Sequence, residues 1–479
     1  MATTTISADL ARRIQEECSE NVYLCYQCKK CTAGCPVAAY FDLAPHQVLR
    51  ACQLGQRERV LDSRTIWICA ACETCSTRCP QGIDIARIMD VLKIMAQREG
   101  IKPRARPVPM FYKAANRTID WFGRLWELGL MAELYSRMLF ARELNLRQLF
   151  RYDLPLALKM MGRGKLKLLP SRAKHPRRRR APKPQPDADV ISYYPGCSLH
   201  STGVEFDLST RAVAEILEMK LVDPEGWVCC GTSPAHSTDH FRSIRLPLQT
   251  LAIAQKMGHS YMTVPCASCF SRFRNALHEV DQDPKLRERI AEAVDYDFSK
   301  GPKVDSLLTT MTDRVGYDRI RQAVTKPLAG LKVVSYYGCL LTRPPEVTGE
   351  EHYEYPTNMD RLMEALGAES LDWSYKTECC GSSLSLTQLP IALELSRRIL
   401  ENAKEVEAKA IVVACPLCHA NLDLRQKQIA EGTHEEFDLP ILYFTQVMGL
   451  AFGLEPGRLG LEKHFVDPLP LLERKGLLA

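Results

Sequence analysis

The sequence lacks the long apolar run that a membrane-spanning helix or a secretory signal requires. No segment contains eighteen consecutive apolar residues, and the most hydrophobic region, Met110 to Leu169, is broken every few residues by a charged side chain. The stretch from Met1 to Leu10 has no apolar core of the kind found in signal peptides. We therefore expect a location in the reducing cytoplasm, no membrane-spanning helix, and membrane contact that is at most peripheral and made at the inner face through a partner.

The glycine motifs that cradle nucleotide phosphates are also missing. The sequence has no P-loop, and its nearest approach to GxGxxG, at Gly162 to Gly164, follows a helical stretch and lacks the third glycine. Because these glycines let the backbone approach a pyrophosphate, their absence indicates that this chain binds no flavin or nicotinamide itself. No nucleic-acid-binding motif accompanies the basic residues, so we expect no nucleic-acid partner.

Cysteine, in contrast, is abundant, with 20 among the 479 residues. The chain is 46% apolar and can bury its cores without crosslinks. In a reducing compartment, clustered cysteines bind metals or do redox chemistry more often than they form disulfides. They fall in two blocks, Cys18 to Cys79 and Cys197 to Cys418, with none between. The interval without cysteines predicts a boundary between two parts of the protein.

The first block contains two copies of the motif C-x2-C-x2-C-x3-C-P, which holds two [4Fe-4S] cubes in bacterial ferredoxins. Three closely spaced thiolates of each copy bind one cube, and the fourth binds the other cube. This crossed pattern assigns one cube to Cys25, Cys28, Cys31 and Cys79, and the other to Cys69, Cys72, Cys75 and Cys35. A structural zinc ion would use two CxxC pairs rather than tight runs of four. Cys18 and Cys52 lie outside both motifs, and we interpret them as small core residues.

The second block lies in an internal repeat with an offset of roughly 150 residues. ISYYPGC aligns with VVSYYGC, WVCCGTS with TECCGSS, and TVPCASC with VVACPLC. Each copy alternates strand-like apolar runs with helical stretches. We therefore predict two α/β modules that are related by a pseudo-twofold axis and packed face to face.

Each copy of the repeat supplies five cysteines, one more than an ordinary cube or a zinc ion needs. The first set comprises Cys197, Cys229, Cys230, Cys266 and Cys269, and the second comprises Cys339, Cys379, Cys380, Cys415 and Cys418. Adjacent cysteines cannot comfortably point at one metal, so a larger or split cluster with a bridging thiolate is the natural interpretation. The glycine after each pair, Gly231 or Gly381, allows a close backbone approach to the cluster or a turn with positive φ.

The segment between the two blocks is basic and apolar. Residues 111–161 have apolar side chains at helical spacing, which favours amphipathic helices packed on the rest of the protein over helices on a membrane surface. The run HPRRRR at His175 to Arg180 precedes three spaced prolines. We interpret it as an extended linker, with a basic patch for an acidic partner or anionic lipid as the alternative.

The paired motifs and the tail from Leu439 to Val466 resemble the B-type subunit of heterodisulfide reductase, and the residues from Glu16 to Gly100 resemble its C-type subunit, so the chain resembles a fusion of the two. The resemblance implies that each five-cysteine set holds a noncubane [4Fe-4S] cluster and that a disulfide binds between the two clusters. It also implies that two cubane clusters relay electrons from a flavin-containing donor similar to the A-type subunit of that enzyme, with hydrogenase, formate dehydrogenase or other modules as further donors. The expected function is that of an oxidoreductase component that reduces a disulfide or oxidises thiols.

Two matters stay open at the level of sequence. An electron-transfer protein between a flavoprotein dehydrogenase and a quinone or cytochrome would need the same clusters without a disulfide substrate of its own. Residues near the cysteines could bind substrate or donate protons, although a structural role is the favoured interpretation of each. These candidates are His236, Ser268, Arg343 and His419.

The expected fold is α+β and multidomain. It comprises a helical ferredoxin-type domain with two [4Fe-4S] cubanes (1–100) and a helical extension with a basic, proline-rich linker (101–187). The first α/β CCG module (188–325) and the second with its C-terminal tail (326–479) complete the chain.

Overall fold

The computed structural model describes residues 9–173, 190–433 and 435–478. They form a helical N-terminal domain, a helical extension and two α/β modules, which confirms the predicted α+β, multidomain fold. The run from His175 to Arg180, and with it most of the predicted linker, lies outside the described residues.

The N-terminal domain consists of seven short helices around one apolar core. Its longest helix begins after Asp84, whose carboxylate accepts a hydrogen bond from the Arg87 amide, and buries an apolar stripe that includes Leu92. Cys18 and Cys52 are buried in this core, as expected for cysteines outside the motifs. The helices are α1 (Asp9–Cys18), α2 (Lys30–Ala33), α3 (Pro45–Gln53), α4 (Arg57–Leu61), α5 (Thr65–Ile68), α6 (Thr74–Thr77) and α7 (Ile85–Arg98), with 3-10 helices at Val22–Leu24 and Ala38–Tyr40.

The extension begins with two long antiparallel helices. Ala114 and Ala115 of the first pack against Leu130 and Leu134 of the second, because small side chains let the two helices approach closely. Among the described residues, no helix combines the length and the apolar character that a membrane crossing requires. The helices are α8 (Pro107–Phe122), α9 (Glu127–Phe140), α10 (Leu146–Gln148), a π-helix (Leu149–Asp153) and α11 (Leu154–Gly162).

Each α/β module contains a four-stranded parallel sheet, and the two sheets have the same strand order. In the first, β1 (Val190–Tyr193), β2 (Lys220–Val222), β3 (Tyr261–Val264) and β4 (Lys303–Ser306) are arranged β2-β1-β3-β4. In the second, β5 (Lys332–Tyr336), β6 (Glu369–Ser370), β7 (Ala410–Val413) and β8 (Ile441–Tyr443) are arranged β6-β5-β7-β8. The equal topology agrees with the repeat read from the sequence.

Helices connect the strands in both modules, as parallel pairing requires. The first module has α12 (Gly196–Leu199), α13 (Val204–Ile216), α14 (Thr232–His236), α15 (His240–Lys256), α16 (Ala267–Gln282), α17 (Pro284–Val294), α18 (Leu307–Thr309), a π-helix (Thr310–Gly316) and α19 (Tyr317–Ala323). The second has α20 (Pro345–Thr348), α21 (Asn358–Ala365), α22 (Leu389–Glu405), α23 (Pro416–Thr433), α24 (Phe444–Ala451) and α25 (Leu469–Arg474), with 3-10 helices at Ser382–Leu384, Pro456–Leu459 and Leu461–Lys463.

The two modules share one continuous apolar core. Phe206 of α13 stacks on Tyr443 with ring centroids 4.2 Å apart, and the hydroxyls of Ser209 and Thr445 lie 2.7 Å apart across the same interface. The extension is fixed to this interface by Lys165, whose buried ammonium lies 2.6 Å from a carboxylate oxygen of Glu205. The modules are therefore packed together through α13 and α24.

The N-terminal domain contacts both modules through buried polar groups. Asp90 of α7 accepts hydrogen bonds from Lys93 and from Ser237 of the first module, each at 3.0 Å. Towards the second module, Arg343 donates a hydrogen bond of 2.9 Å to the Thr74 hydroxyl. Buried groups of this kind fix a relative orientation because a shift would leave them unpaired.

Candidate functional site

The two N-terminal cysteine motifs adopt the same backbone conformation. In the first, Gln27 and Lys29 have φ of 65° and 66°, and in the second, Ala71 and Glu73 have φ of 51° and 59°. Left-handed backbone at non-glycine residues is uncommon and persists only where the surroundings require it. Here it turns the chain on both sides of the second cysteine of each motif, so that successive thiols face one centre.

The structure brings the eight N-terminal cysteines together in two crossed groups. Cys79 of the second motif lies with Cys25, Cys28 and Cys31 of the first, and burial together with these neighbouring thiols raises the pKa of Cys31. The other group comprises Cys35, Cys69, Cys72 and Cys75, where burial is the largest cause that raises the pKa of Cys75. This is the crossed grouping expected from the sequence.

The two groups differ in their access to solvent. Cys28 is exposed, and the neighbouring side chains of Tyr23 and Tyr26 are 62% and 60% exposed. Cys72 is buried beside Cys379 of the second module, and the interaction with this thiol lowers the pKa of Cys72. The N-terminal domain therefore has an outer thiol group at the surface and an inner thiol group against the second module.

The five cysteines of the first module converge from two loops and two helices. Cys197 lies in α12 after β1, the adjacent pair lies in the loop before α14, Cys266 lies in the loop after β3, and Cys269 lies in α16. The Sγ atoms of Cys230 and Cys269 are 3.2 Å apart, and the interaction with Cys197 lowers the pKa of Cys229. The carboxyl ends of parallel strands meet at one sheet edge, which explains why residues far apart in sequence assemble here.

The second module repeats this arrangement. The Sγ atoms of Cys380 and Cys418 are 3.6 Å apart, and the interaction with Cys339 raises the pKa of Cys379. Cys415 follows β7, as its counterpart follows β3. Each predicted five-cysteine set is thus brought together within its own module.

The glycines that follow the adjacent cysteines have a conformational role. Gly231 and Gly381 have φ of 85° and 75°. Each glycine therefore adopts the turn with positive φ that was one of the two roles suggested by the sequence. Their amides donate to the Sγ atoms of Cys229 at 3.5 Å and of Cys379 at 3.4 Å. An amide aimed at a sulfur stabilises the thiolate form.

Two further pairs of residues support the sites and were not singled out in the sequence. Gly196 and Gly338 precede the first cysteine of each set at φ of 66° and 73°, and a Cβ on Gly338 would lie 3.1 Å from the Sγ of Cys418. Tyr194 and Tyr336 donate hydrogen bonds to the carbonyls that precede the adjacent cysteines, at 2.9 and 2.7 Å. The signal was present in the repeat, since both residues occur in ISYYPGC and VVSYYGC.

All ten cysteines of the two modules lie in the wall of one cavity of about 300 Å³. Cys266 of the first module lies near Cys415 of the second in this wall, and the interaction between the two thiols lowers the pKa of Cys415. The extension closes one side with apolar side chains that include Leu130, Met131 and Met160. The site is therefore a single chamber shared by the two modules and the extension.

A few polar groups face this chamber. The Ser201 hydroxyl donates a hydrogen bond to Glu127, and burial raises the pKa of Glu127 to about 7. Arg272 and Arg425 also line the wall. None of these was expected from the sequence, because the extension and helix positions that supply them are adjacent to the cysteines only in the folded chain.

The four candidate residues near the cysteines divide into two pairs. His236 and Ser268 line the chamber, and the His236 ring lies 2.5 Å from Asp90. Arg343 instead is buried among Thr74, Thr377 and Glu354, and His419 is hydrogen bonded to His464 at 3.2 Å. For Arg343 and His419, the structural interpretation accounts for the contacts.

The donor atoms in the four groups suit iron–sulfur clusters. Thiolates are the usual ligands of [4Fe-4S] clusters, and each group gathers four or five thiols from segments held by the fold. In the modules, buried tyrosines and backbone amides hold the loops and sulfurs of the thiol groups in place. Hydrogen bonds of this kind around the ligands are usual in metal sites.

Comparisons with known proteins agree with these observations. The cysteine-rich CCG domain matches residues 191–274 and 333–423, and the 4Fe-4S dicluster domain matches residues 24–84. Both matches support binding of [4Fe-4S] clusters.

Individual relatives match more than half of this chain over nearly their whole length. The chain is 30% identical over 283 residues to the 8-methylmenaquinol:fumarate reductase membrane anchor subunit of Wolinella succinogenes, in a match that spans 59% of this chain and 98% of that protein. It is 27% identical over 290 residues to the B-type subunit of the ferredoxin/F(420)H(2)-dependent CoB-CoM heterodisulfide reductase of Methanosarcina acetivorans (59% and 96%). It is 28% identical over 271 residues to a protein of Archaeoglobus profundus that is similar to the B-type subunit of heterodisulfide reductase (54% and 90%).

Proposed function

Since this chain belongs to the family of CCG-domain iron–sulfur proteins that includes the B-type subunit of heterodisulfide reductase, we propose that it passes electrons to a disulfide bound between its two modules, or accepts them from two thiols. The outer and inner thiol groups would each hold a cubane [4Fe-4S] cluster, and each five-thiol group a noncubane one. The proposal rests on one observation, that both five-thiol groups open into the same chamber. A substrate with two sulfurs can face both groups only from such a position.

The contacts also suggest an order of electron transfer. The outer group with exposed Cys28 would receive electrons from a flavin-containing partner, and the inner group would pass them to the second module through the contact of Cys72 with Cys379. The contact of Cys266 with Cys415 would connect the second module to the first. The bound clusters would supply one-electron transfers at potentials set by their surroundings.

Reduction of a disulfide consumes two electrons and two protons and yields two thiols. Glu127 lies in the chamber wall, and its raised pKa lets the carboxyl hold a proton near neutral pH. Arg272 would balance negative charge on departing thiolates. We therefore propose that Glu127 donates one of the two protons to a product thiolate and that solvent water supplies the other.

A second candidate function is electron transfer between a flavoprotein dehydrogenase and a quinone or cytochrome. Two observations favour it: the relative at 30% identity is named as the membrane anchor subunit of a menaquinol:fumarate reductase, and the extension side of the chamber is apolar. In that function the second module would be needed for electron flow, and the chamber would take a quinone or no substrate.

Single replacements in the two modules distinguish these functions. Cys230→Ser and Cys380→Ser should each abolish reduction of every disulfide in a panel of small thiols and disulfides, because a two-sulfur substrate requires both groups. Anaerobically purified protein should contain about 16 iron atoms per chain, four in each of four clusters. Fully loaded protein with about eight would contradict clusters in both modules. Substantial activity of either variant, or rapid oxidation by a menaquinone analogue and by no disulfide, would favour the second function.

A further inference from the structure

The outer side of the extension carries a concentration of exposed apolar side chains. Among the described residues, seventeen large apolar side chains are exposed, and nine of them lie between Leu139 and Leu169. Scattered apolar residues are normal on a protein surface, whereas a concentration marks an interaction site. We call these nine the extension face: Leu139, Phe140, Leu146, Phe150, Leu154, Leu158, Met161, Leu168 and Leu169.

Helix α11 shows why this face has no partner within the described chain. Leu154 and Leu158, one turn apart, are 44% and 60% exposed, whereas Met160 is buried and lines the chamber together with Leu156. A helix that is apolar on its inner side and again on its outer side is suited to be covered on both. The inner side is covered by the chamber, and the outer side faces solvent.

The charges around the extension face are mostly positive. Between Leu139 and Ala173 the sequence has eight Lys or Arg residues and two acidic residues, Glu143 and Asp153. Asp153 is turned inward, where it accepts a hydrogen bond from Gln148 and interacts with Tyr135. The exposed carboxylates at this face are Glu143, which pairs with Arg106, and Glu431, which pairs with Arg151. They are outnumbered by the exposed cations, which are Arg142, Arg147, Arg151, Lys159, Lys167 and Arg172.

We propose that the extension face docks on an anionic phospholipid surface. Large apolar side chains set among Lys and Arg are the composition of helices that lie in the plane of a bilayer interface, with the apolar groups among the acyl chains and the cations at the headgroups. The excess of exposed cations over exposed carboxylates on this face complements a negative surface. Docking in this way would also set the apolar wall of the chamber beside the lipid. This inference goes beyond the proposed function and does not depend on it.

Vesicle sedimentation of the full-length, anaerobically loaded protein tests the proposal. We expect co-sedimentation with phosphatidylcholine vesicles that contain phosphatidylglycerol, at least about tenfold weaker binding to phosphatidylcholine alone, and weaker binding at high salt. The double variant Leu154→Ser with Leu158→Ser should bind anionic vesicles at least about tenfold less tightly. Arg147→Gln with Lys159→Gln should reduce the preference for phosphatidylglycerol.

Matched controls show whether binding belongs to this face or to exposed apolar and basic residues in general. Leu208→Ser with Ile216→Ser removes two exposed apolar side chains from α13 and should leave binding unchanged. Deletion of residues 175–180 should weaken binding far less than the double substitution Leu154→Ser with Leu158→Ser, which we call the α11 variant. Equal iron content and circular dichroism would show that each variant is folded.

Three results would overturn the proposal. They are no binding of the wild-type chain to anionic vesicles at low salt, unchanged binding of the α11 variant, and loss of binding on deletion of residues 175–180 alone. Sedimentation velocity without lipid tests whether a second copy of this chain covers the face instead. A wild-type dimer that becomes a monomer in the α11 variant would show that it does.

Discussion

The buried thiol of Cys72 lies beside the thiol of Cys379, which belongs to the second α/β module, and this neighbour lowers the pKa of Cys72. This contact connects the inner thiol group of the N-terminal domain to the five-thiol group of one particular module. Although the N-terminal domain contacts both modules, its inner thiol group therefore lies next to the thiols of the second module.

Replacing Cys72 by Ser should interrupt electron delivery from a flavoprotein donor while the clusters of the modules remain, because the change removes a thiol only from the inner group. We expect a turnover rate reduced by at least about tenfold, with iron content and electron paramagnetic resonance spectra used to identify the affected cluster. Cys52→Ser, in the same apolar core but outside both motifs, is the control and should retain turnover. Turnover of the Cys72 variant at the wild-type rate would contradict the relay.

Replacing Gly381 by Ala should impair iron loading of the second module. Its φ is 75°, and an added Cβ would lie 3.0 Å from Leu395 Cδ1 and 3.1 Å from the backbone of Ala392, so the amide that donates to Cys379 must move. Loss of about four iron atoms per chain is expected by elemental analysis. Gly432→Ala, where an added Cβ meets nothing within 4 Å, should keep full iron.

Replacing Asp90 by Asn should destabilise the packing of the N-terminal domain on the first module. Asp90 neutralises the buried Lys93 at 3.0 Å and contacts His236 at 2.5 Å, and removal of its charge would leave a buried ammonium uncompensated. We expect a loss of about 3–5 kcal/mol in the free energy of unfolding, measured by urea denaturation. Asp295→Asn, which breaks an exposed pair with Lys256, is the control and should change the free energy of unfolding far less, because solvent screens this pair.

The stability of the protein should depend on Glu127 in a pH-dependent way. Burial raises the pKa of this carboxyl to about 7 from 4.5, so ionisation costs stability as the pH rises between these values, and the cost is constant above about 7. Glu127→Gln should match the wild type near pH 4.5 and exceed it by up to about 3 kcal/mol above pH 7.

Urea midpoints measured across this pH range give the test for Glu127. The same measurement on Glu473→Gln, at an exposed position of α25, is the control for the loss of a carboxylate elsewhere in the chain. A Glu127→Gln curve that runs parallel to the wild-type curve would show that the carboxyl does not titrate in this range.

The sequence by itself determined what depends on local spacing and repetition. The motifs around Cys25 and Cys69 were sufficient to predict two crossed thiol groups, because three of the four thiols of each lie within one short loop. The repeat predicted two α/β modules, because matching strings at a constant offset encode matching strands and helices.

Only the tertiary structure decided which elements that are distant in sequence come into contact. The sequence could not show that Cys72 lies beside Cys379, that the extension closes the chamber with Met160, or that Glu127 points into it. These contacts depend on how separately folded segments pack, and amphipathic spacing in the extension identifies an apolar face without identifying its partner. Arg343 and His419 illustrate the same limit, because adjacency to a cysteine in sequence did not bring either side chain to the chamber wall. Chain spacing fixes which thiols can form a group, whereas burial and packing fix what that group faces.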